Sequence, residues 1–311
     1  MKIAVLYGGT SKEREVSLST GKGIINALKD LDHDVLAIDF DPSQLNSLID
    51  QIKDVDLVFI GLHGKQGEDG AVQGLLDLLE IPYVGSGVLA SSLAMDKSKA
   101  KQVFAMHNIP VAKSKTYHFK ETRTQVFEDI KSSFDLPFVV KPNQEGSTLG
   151  LTVIETWDQL SEAIQVAFTH DSDIIVETYV QGRELTVAVL GNNGDEQALP
   201  VIEIVPKSKY YDYESKYAEG GSEHIVPAEI SDALTEKILN YSKVAHQSLG
   251  CETYSRVDFI LNEKLGPVIL EVNTLPGMTQ TSLYPDAAKA VGLSYAEMIQ
   301  LFIDLTVEKY N

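Results

Sequence analysis

Apolar residues in the first third of this chain come in short continuous runs, separated by segments whose apolar positions recur every three or four residues. That is the pattern of strands buried on both faces and covered by helices. Residues 2–7 (KIAVLY) read as a strand, Gly8-Gly9-Thr10-Ser11 as a tight turn, and the next segment as a helix with Leu18, Ile25 and Leu28 along one side. Residues 34–40, an amphipathic stretch with Leu45, Leu48, Ile49 and Ile52, and residues 56–62 repeat the alternation. A parallel sheet up to about residue 95 is the expected result.

Beyond that point the rhythm changes. A helix is expected from about residue 95 to His107, ended by Asn108-Ile109-Pro110. Apolar runs at 136–142, 173–180, 184–190 and 199–205 are strands, and a polar, tyrosine-rich stretch begins at Tyr210. Residues 256–261 and 268–273 form two β-rich runs around Asn262-Glu-Lys-Leu-Gly266-Pro267, so they are expected to pair as a hairpin. The expected architecture is an α/β fold: a Rossmann-like parallel-sheet unit over 1–95, an α+β unit over 96–180, and a second over 181–311 that carries the hairpin.

The hairpin brings chemistry with it. Side chains alternate with period two, so Glu271 and Asn273 share a face, and Asp258 on the neighbouring strand can point to the same spot. Two carboxylates and an amide oxygen suit Mg²⁺, which prefers a few protein oxygens plus water and phosphates. The bland alternative is a solvated hairpin face. Ahead of it, Lys141 closes a strand beside a small-residue loop, 143–150 (NQEGSTLG), able to bring backbone N–H groups to phosphate oxygens. Lys97 at a helix start is a second candidate for phosphate, set against an ordinary surface lysine. Gly8-Gly9 and His63-Gly64 fall at carboxyl ends of expected strands, where open α/β sheets place ligands, but Gly-Gly-Thr-Ser is not the dinucleotide fingerprint. Glu13 and Glu15, from position alone, serve the helix N-terminus. The stretch 210–224, which holds Lys216 and Tyr217, is long enough to act as a lid over a site.

Composition narrows the class. The 311 residues carry a formal charge of -19, which opposes nonspecific binding to nucleic acid or anionic membrane, because phosphate backbones reward clustered Lys and Arg. No apolar run approaches the roughly 18 to 20 residues of a membrane span, and the N-terminus does not read as a signal peptide. Cys251, the single cysteine, excludes an internal disulfide and is expected to be a buried small residue. A cytoplasmic protein is the expectation.

Taken in order, Lys97, Lys141, the Gly-Ser-Thr loop, Glu177, Glu184, Arg256, Asp258, Glu271 and Asn273 resemble the ATP-grasp enzymes. The likeness narrows further. Six motifs, residues 8–19 (GGTSKEREVSLS), 62–64 (LHG), 68–70 (EDG), 145–147 (EGS), 211–217 (YDYESKY) and 271–278 (EVNTLPGM), resemble the D-alanine–D-alanine ligases across essentially the whole chain. Gln144 and Thr148 depart from what many members carry.

The resemblance implies an ATP-dependent condensation of two D-alanines through an acyl phosphate, for peptidoglycan precursors. It implies two Mg²⁺ or Mn²⁺ ions, one on Asp258 and Glu271 and one on Glu271 and Asn273, and leaves K⁺ open as an activator. Lys97 and Lys141 would hold phosphates. Glu177, Tyr179, Val180, Tyr210, Ile260 and Leu270 would border adenine, with Glu184 on the ribose. Glu13 and His63 would take the first D-alanine, Arg256 and the Gly277 N–H the oxyanion, and Ser282 and Lys216 the second carboxylate, while Ser147 and Tyr217 join Glu13 in a hydrogen-bonded set. A homodimer is implied by resemblance alone. Two other readings compete: a D-alanine–D-lactate ligase, disfavoured by the Tyr217 hydroxyl, and a noncatalytic nucleotide- or amino-acid-binding module of the same fold.

Overall fold

The protein is described by a computed structural model over residues 1–206 and 221–311. Four short parallel strands, β1 (Lys2–Tyr7), β2 (Asp34–Asp39), β3 (Leu57–Ile60) and β4 (Tyr83–Val84), form a sheet in the order β2-β1-β3-β4. Helices α1 (Arg14–Asp30), α2 (Leu45–Ile52), α3 (Ala71–Leu78) and α4 (Val88–Met95) connect and follow them. The buried face of α1 combines large apolar residues, Val16, Ile24, Ile25 and Leu28, with small ones. Of the expected stripe Ile25 and Leu28 are buried and Leu18 is half-buried, and Ser17, Thr20, Gly21 and Ala27 are the small buried residues. The cause is close approach: a Cβ on Gly21 would lie 2.3 Å from Tyr7 Cβ, so the helix sits on β1 through its small residues.

Helix α5 (Lys97–Met106) follows with Asp96 as its N-cap, whose carboxylate accepts from Lys99 N at 3.0 Å. An antiparallel sheet then runs β5-β8-β6-β7, from β5 (Ser114–His118), β6 (Phe138–Pro142), β7 (Thr152–Ile154) and β8 (Asp173–Thr178), with helices α6 (Arg123–Ser133) and α7 (Leu160–Phe168) on it. The third sheet is antiparallel and runs β12-β11-β9-β13-β14, with the short β10 (Gln197–Ala198) beside β9. Its strands are β9 (Arg183–Gly191), β11 (Ile202–Pro206), β12 (Ser222–Ile225), β13 (Thr253–Asn262) and β14 (Gly266–Asn273). Helix α8 (Asp232–Leu249) precedes β13, and α9 (Leu283–Ala290) and α10 (Tyr295–Tyr310) close the chain. The strand expected from residue 199 begins only at Ile202, because Pro200 has no N–H to give a ladder. Residues 222–224, expected in the lid stretch, pair with β11 instead.

Three apolar clusters hold this together. The first joins the parallel sheet to α9, α10 and part of the third sheet through Ala188, Ile202, Tyr254 and Phe302. The second packs α4, α5 and α8 on the back of the third sheet, with Ala94, Phe104, Val187, Val257 and Ile269. The third, from Tyr117 to Val176, lies wholly within the middle sheet and its helices. Cys251 is buried. Among the described residues no single helix is long and apolar enough to cross a membrane.

Candidate functional site

The expected hairpin is present, and its register places the expected side chains together. Asp258 pairs with Glu271 and Arg256 with Asn273, while β9 lies against the other edge of β13 with Thr186 opposite Asp258 and Glu184 opposite Ile260. Val257, Phe259 and Val272 point into the second apolar cluster, so Arg256, Asp258, Ile260, Glu271 and Asn273 share the opposite face. The pairing slips between Asp258 and Phe259, where Phe259 faces Ile269 rather than Leu270. That bulge leaves Ile269 in the core with Val272 and Leu270 half-buried outside it. A strict alternation would have sent Leu270 inward, and the bulge is the physical reason it joins the site face.

Asp258 is the hub of this face. Arg256 grips it with a two-pronged contact, Nε to Oδ1 at 2.9 Å and Nη2 to Oδ2 at 2.8 Å. Thr186 donates its hydroxyl to Oδ1 at 2.6 Å and Asn273 its amide to Oδ2 at 3.0 Å. Thr186 was not marked by the sequence; only the β9–β13 register reveals it. Across the cleft Lys97, buried at the start of α5, reaches within 3.6 Å of Glu271 Oε2 and donates to the Glu145 carbonyl at 2.6 Å. A single lysine thus touches both the hairpin and the 143–150 loop. The loop is stitched to α5 as well, through Asn143 Nδ2 to Asp96 Oδ1 at 2.9 Å and Ser98 N to Asn143 Oδ1 at 2.9 Å.

Lys141 is buried and donates to Glu177 Oε1. The other carboxylate oxygen is met by Lys101, 2.8 Å away and also buried. Burial acts to raise the Glu177 carboxyl, but the two lysines outweigh it and push it down to about 2. Burial draws the Lys101 ammonium below the ordinary lysine range, against the pull of Glu177. Lys101 escaped the sequence reading, since its spacing from Lys97 says only that both can share a helix face. Tyr179 and Val180 follow β8 and are half-buried.

A second group lies at the carboxyl ends of the parallel strands. Glu13 is buried and makes no side-chain cap for α1; its Oε1 accepts from Ser147 across a sequence gap of 134 residues, and Glu15 alone occupies the first helical turn. The helix-end role expected for Glu13 is therefore replaced by a contact between two loops. Close passage is needed here: a Cβ on Gly146 would stand 3.0 Å from Glu13 Oε2. His63, 5% exposed, lies between Glu68 Oε1 at 3.2 Å and the Thr20 hydroxyl at 2.9 Å. Thr20 in turn accepts from Met278 N at 3.4 Å, joining α1 to the segment after β14. In that segment Gly277 passes Ser282, whose Oγ accepts from Thr279 N at 3.1 Å. Tyr210, Lys216 and Tyr217 lie outside the described residues, as does the lid stretch up to residue 220.

Family models for the D-ala D-ala ligase N-terminus and C-terminus match residues 41–86 and 103–304. The chain belongs to the D-alanine–D-alanine ligase family. A D-alanine–D-alanine ligase of Halalkalibacterium halodurans is 61% identical over 310 residues, covering 99% of this chain and 100% of the relative. One from Carboxydothermus hydrogenoformans is 43% identical, with 99% of each chain covered. Among solved structures, the D-alanine–D-alanine ligase of Bacillus anthracis complexed with ATP superposes with a TM-score of 0.83 at 31% identity, covering 100% of this chain and 98% of that one. VanG, a D-Ala:D-Ser ligase of Enterococcus faecalis, gives 0.84 at 32% identity, covering 98% and 99%. This ligase has the ATP-grasp architecture expected from its motifs, with one parallel and two antiparallel sheets.

Proposed function

We propose that this chain joins two molecules of D-alanine at the expense of ATP, with residues 1–95 taking the amino acid and residues 96–180 and 181–311 gripping the nucleotide. The observation that carries the reading is the Lys97–Glu271 approach of 3.6 Å, which sets a phosphate-binding cation against a face that already holds Arg256, Asp258 and Asn273. In the proposed reaction a carboxylate oxygen of the first D-alanine attacks the γ-phosphorus as the bond to ADP breaks. The amine of the second then attacks the acyl carbon, and inorganic phosphate leaves.

The donor set fits a divalent cation. Asp258, Glu271 and Asn273 offer hard oxygens on one strand pair, and among the described residues no three His, Cys, Asp or Glu gather into a closed cage. That partial set is what Mg²⁺ or Mn²⁺ uses when phosphates and water complete its shell. When bound there, it supplies positive charge beside the phosphates. Lys97 and Lys141 are the protein's own cations for phosphate oxygens. Arg256, with the Gly277 N–H, offers donors to the developing oxyanion. Glu13 and His63 receive the first amino acid, Ser282 and Lys216 the second carboxylate. Ser147, Tyr217 and Glu13 tie the loops together. Adenine rests against Glu177, Tyr179, Val180, Tyr210, Ile260 and Leu270, and Glu184 accepts from the ribose. K⁺ as an activator, a homodimeric state and a cytoplasmic setting belong to the same proposal.

The test is the product formed from ATP, Mg²⁺ and D-alanine with D-lactate and D-serine in competition, resolved by mass and paired with ADP release. D-alanyl-D-alanine as the main product, with no turnover on L-alanine, is expected. ATP binding without any ligated product would leave a noncatalytic module; a depsipeptide or a D-serine dipeptide in excess would move the second substrate.

A further inference from the structure

The buried cluster of Lys101, Glu177 and Lys141 places two cations on one carboxylate, from different elements. Lys141 comes from the end of β6, beside the 143–150 loop, and Lys101 from the interior of α5, one turn beyond Lys97. Their exposures are 8% and 3%, and Glu177 is 4% exposed. The Lys101 ammonium, 2.8 Å from Glu177 Oε2, makes no hydrogen bond to any other described group. Lys141 adjoins the 143–150 loop proposed to meet phosphate, and Lys101 is the more deeply buried of the two.

A lysine that serves a phosphate must loosen its hold on Glu177. Stripping the partner from a buried charge is strongly unfavourable, so a carboxylate held by Lys141 alone would resist giving it up. We propose that Lys101 is a positioning residue for the nucleotide: it keeps Glu177 paired and in place, so that Lys141 is released to the phosphates of ATP. Lys101 itself touches no substrate. The inference rests on the nucleotide site proposed above.

The experiment is a double-mutant cycle on the full chain, read as KM for ATP and kcat. Lys101→Met should raise KM for ATP by at least ~10-fold, with the D-alanine KM at saturating ATP unchanged. In the Glu177→Gln background, which removes the charge that would hold Lys141 back, the same substitution should cost less than ~2-fold. A purely structural lysine would lower thermal stability and active fraction without moving KM for ATP, and an equal loss in both backgrounds or an unchanged KM overturns the proposal. Should Lys101→Met fail to fold, Lys101→Arg and Lys101→Gln are compared; only the charged variant should keep KM for ATP near that of the unaltered enzyme, and equal values overturn it. Lys141→Met is the reference. If it raises KM for ATP while Lys101→Met does not, this inference alone falls. If neither does, the nucleotide site itself is misplaced.

Discussion

At the scale of single residues, charge and register decide the chemistry. Glu271 sits where two proposed cations would meet and where Lys97 approaches, so Glu271→Gln should lower kcat by at least about two orders of magnitude, the scale of losing a preorganised charge contact. Asp258→Asn should act in the same direction but more weakly, since an amide oxygen still accepts from Thr186 and Arg256. ADP release followed across a magnesium titration checks both, and near-normal turnover in Glu271→Gln at ordinary magnesium would place the metal elsewhere. Much of this was readable in advance: period-two alternation put Glu271 and Asn273 on one face, and the expected hairpin allowed Asp258 to join them, as the register shows. Leu270 came from the family resemblance and not from alternation, because a single-residue bulge leaves no mark in a run of aliphatic residues. Lys101, whose partner Glu177 comes from a strand 76 positions further along the chain (177 − 101), was not readable.

At the scale of elements, the sequence marked β1 and most later strands but not such strands as β5, β7 or β12, and it did not show how closely α1 would lie, because the packing face of that helix mixes Ser17, Thr20 and Gly21 with Val16, Ile24, Ile25 and Leu28. The same hydroxyls then serve the site, Ser17 accepting from His63 N at 2.8 Å and Thr20 reaching the His63 ring. The C-terminal helices are anchored differently. Tyr254, Tyr284 and Phe302 meet with ring centroids 4.5 to 5.9 Å apart, fixing α9 and α10 against β13. Since Ser282 precedes α9 and Met278 N bonds Thr20, this aromatic knot supports the segment proposed above to receive the second substrate. Phe302→Ala should cost ~3–5 kcal/mol of stability, measured as a shift in urea midpoint. A loss below ~1 kcal/mol would show that the helices are held by other contacts.

At the scale of the whole molecule, buried ionisable groups set the response to acid. His246 is fully buried, and burial holds its pKa down to about 4, against an ordinary value of 6.5. Between those pH values the unfolded chain binds a proton that the native chain refuses, so stability falls as pH drops from about 6.5 to about 4. The full loss from this one group is on the order of 3 kcal/mol. Glu177, pushed down to about 2, adds a further loss below its ordinary range, because its native form stays ionised until far lower pH. Urea midpoints from pH 7.5 to 4.5 should show the decline, and His246→Gln should flatten it; an unchanged slope would assign the effect to other groups. The clusters carry one more consequence. The middle sheet has a core of its own, and several of its ties to the parallel-sheet loops are polar: Ser147 to Glu13, Lys65 to Glu145 at 3.0 Å, and Lys12 Nζ to His170 Nδ1 at 2.7 Å. Electrostatic fastening of this kind weakens as the Debye length shrinks from about 10 Å at 0.1 M salt to about 3 Å at 1 M, whereas an apolar seam would hold or tighten. Added salt should therefore loosen the middle sheet as a unit, seen as faster amide exchange confined to the 143–150 loop and the start of α1, while the aromatic knot beneath the other half of the cleft stays protected.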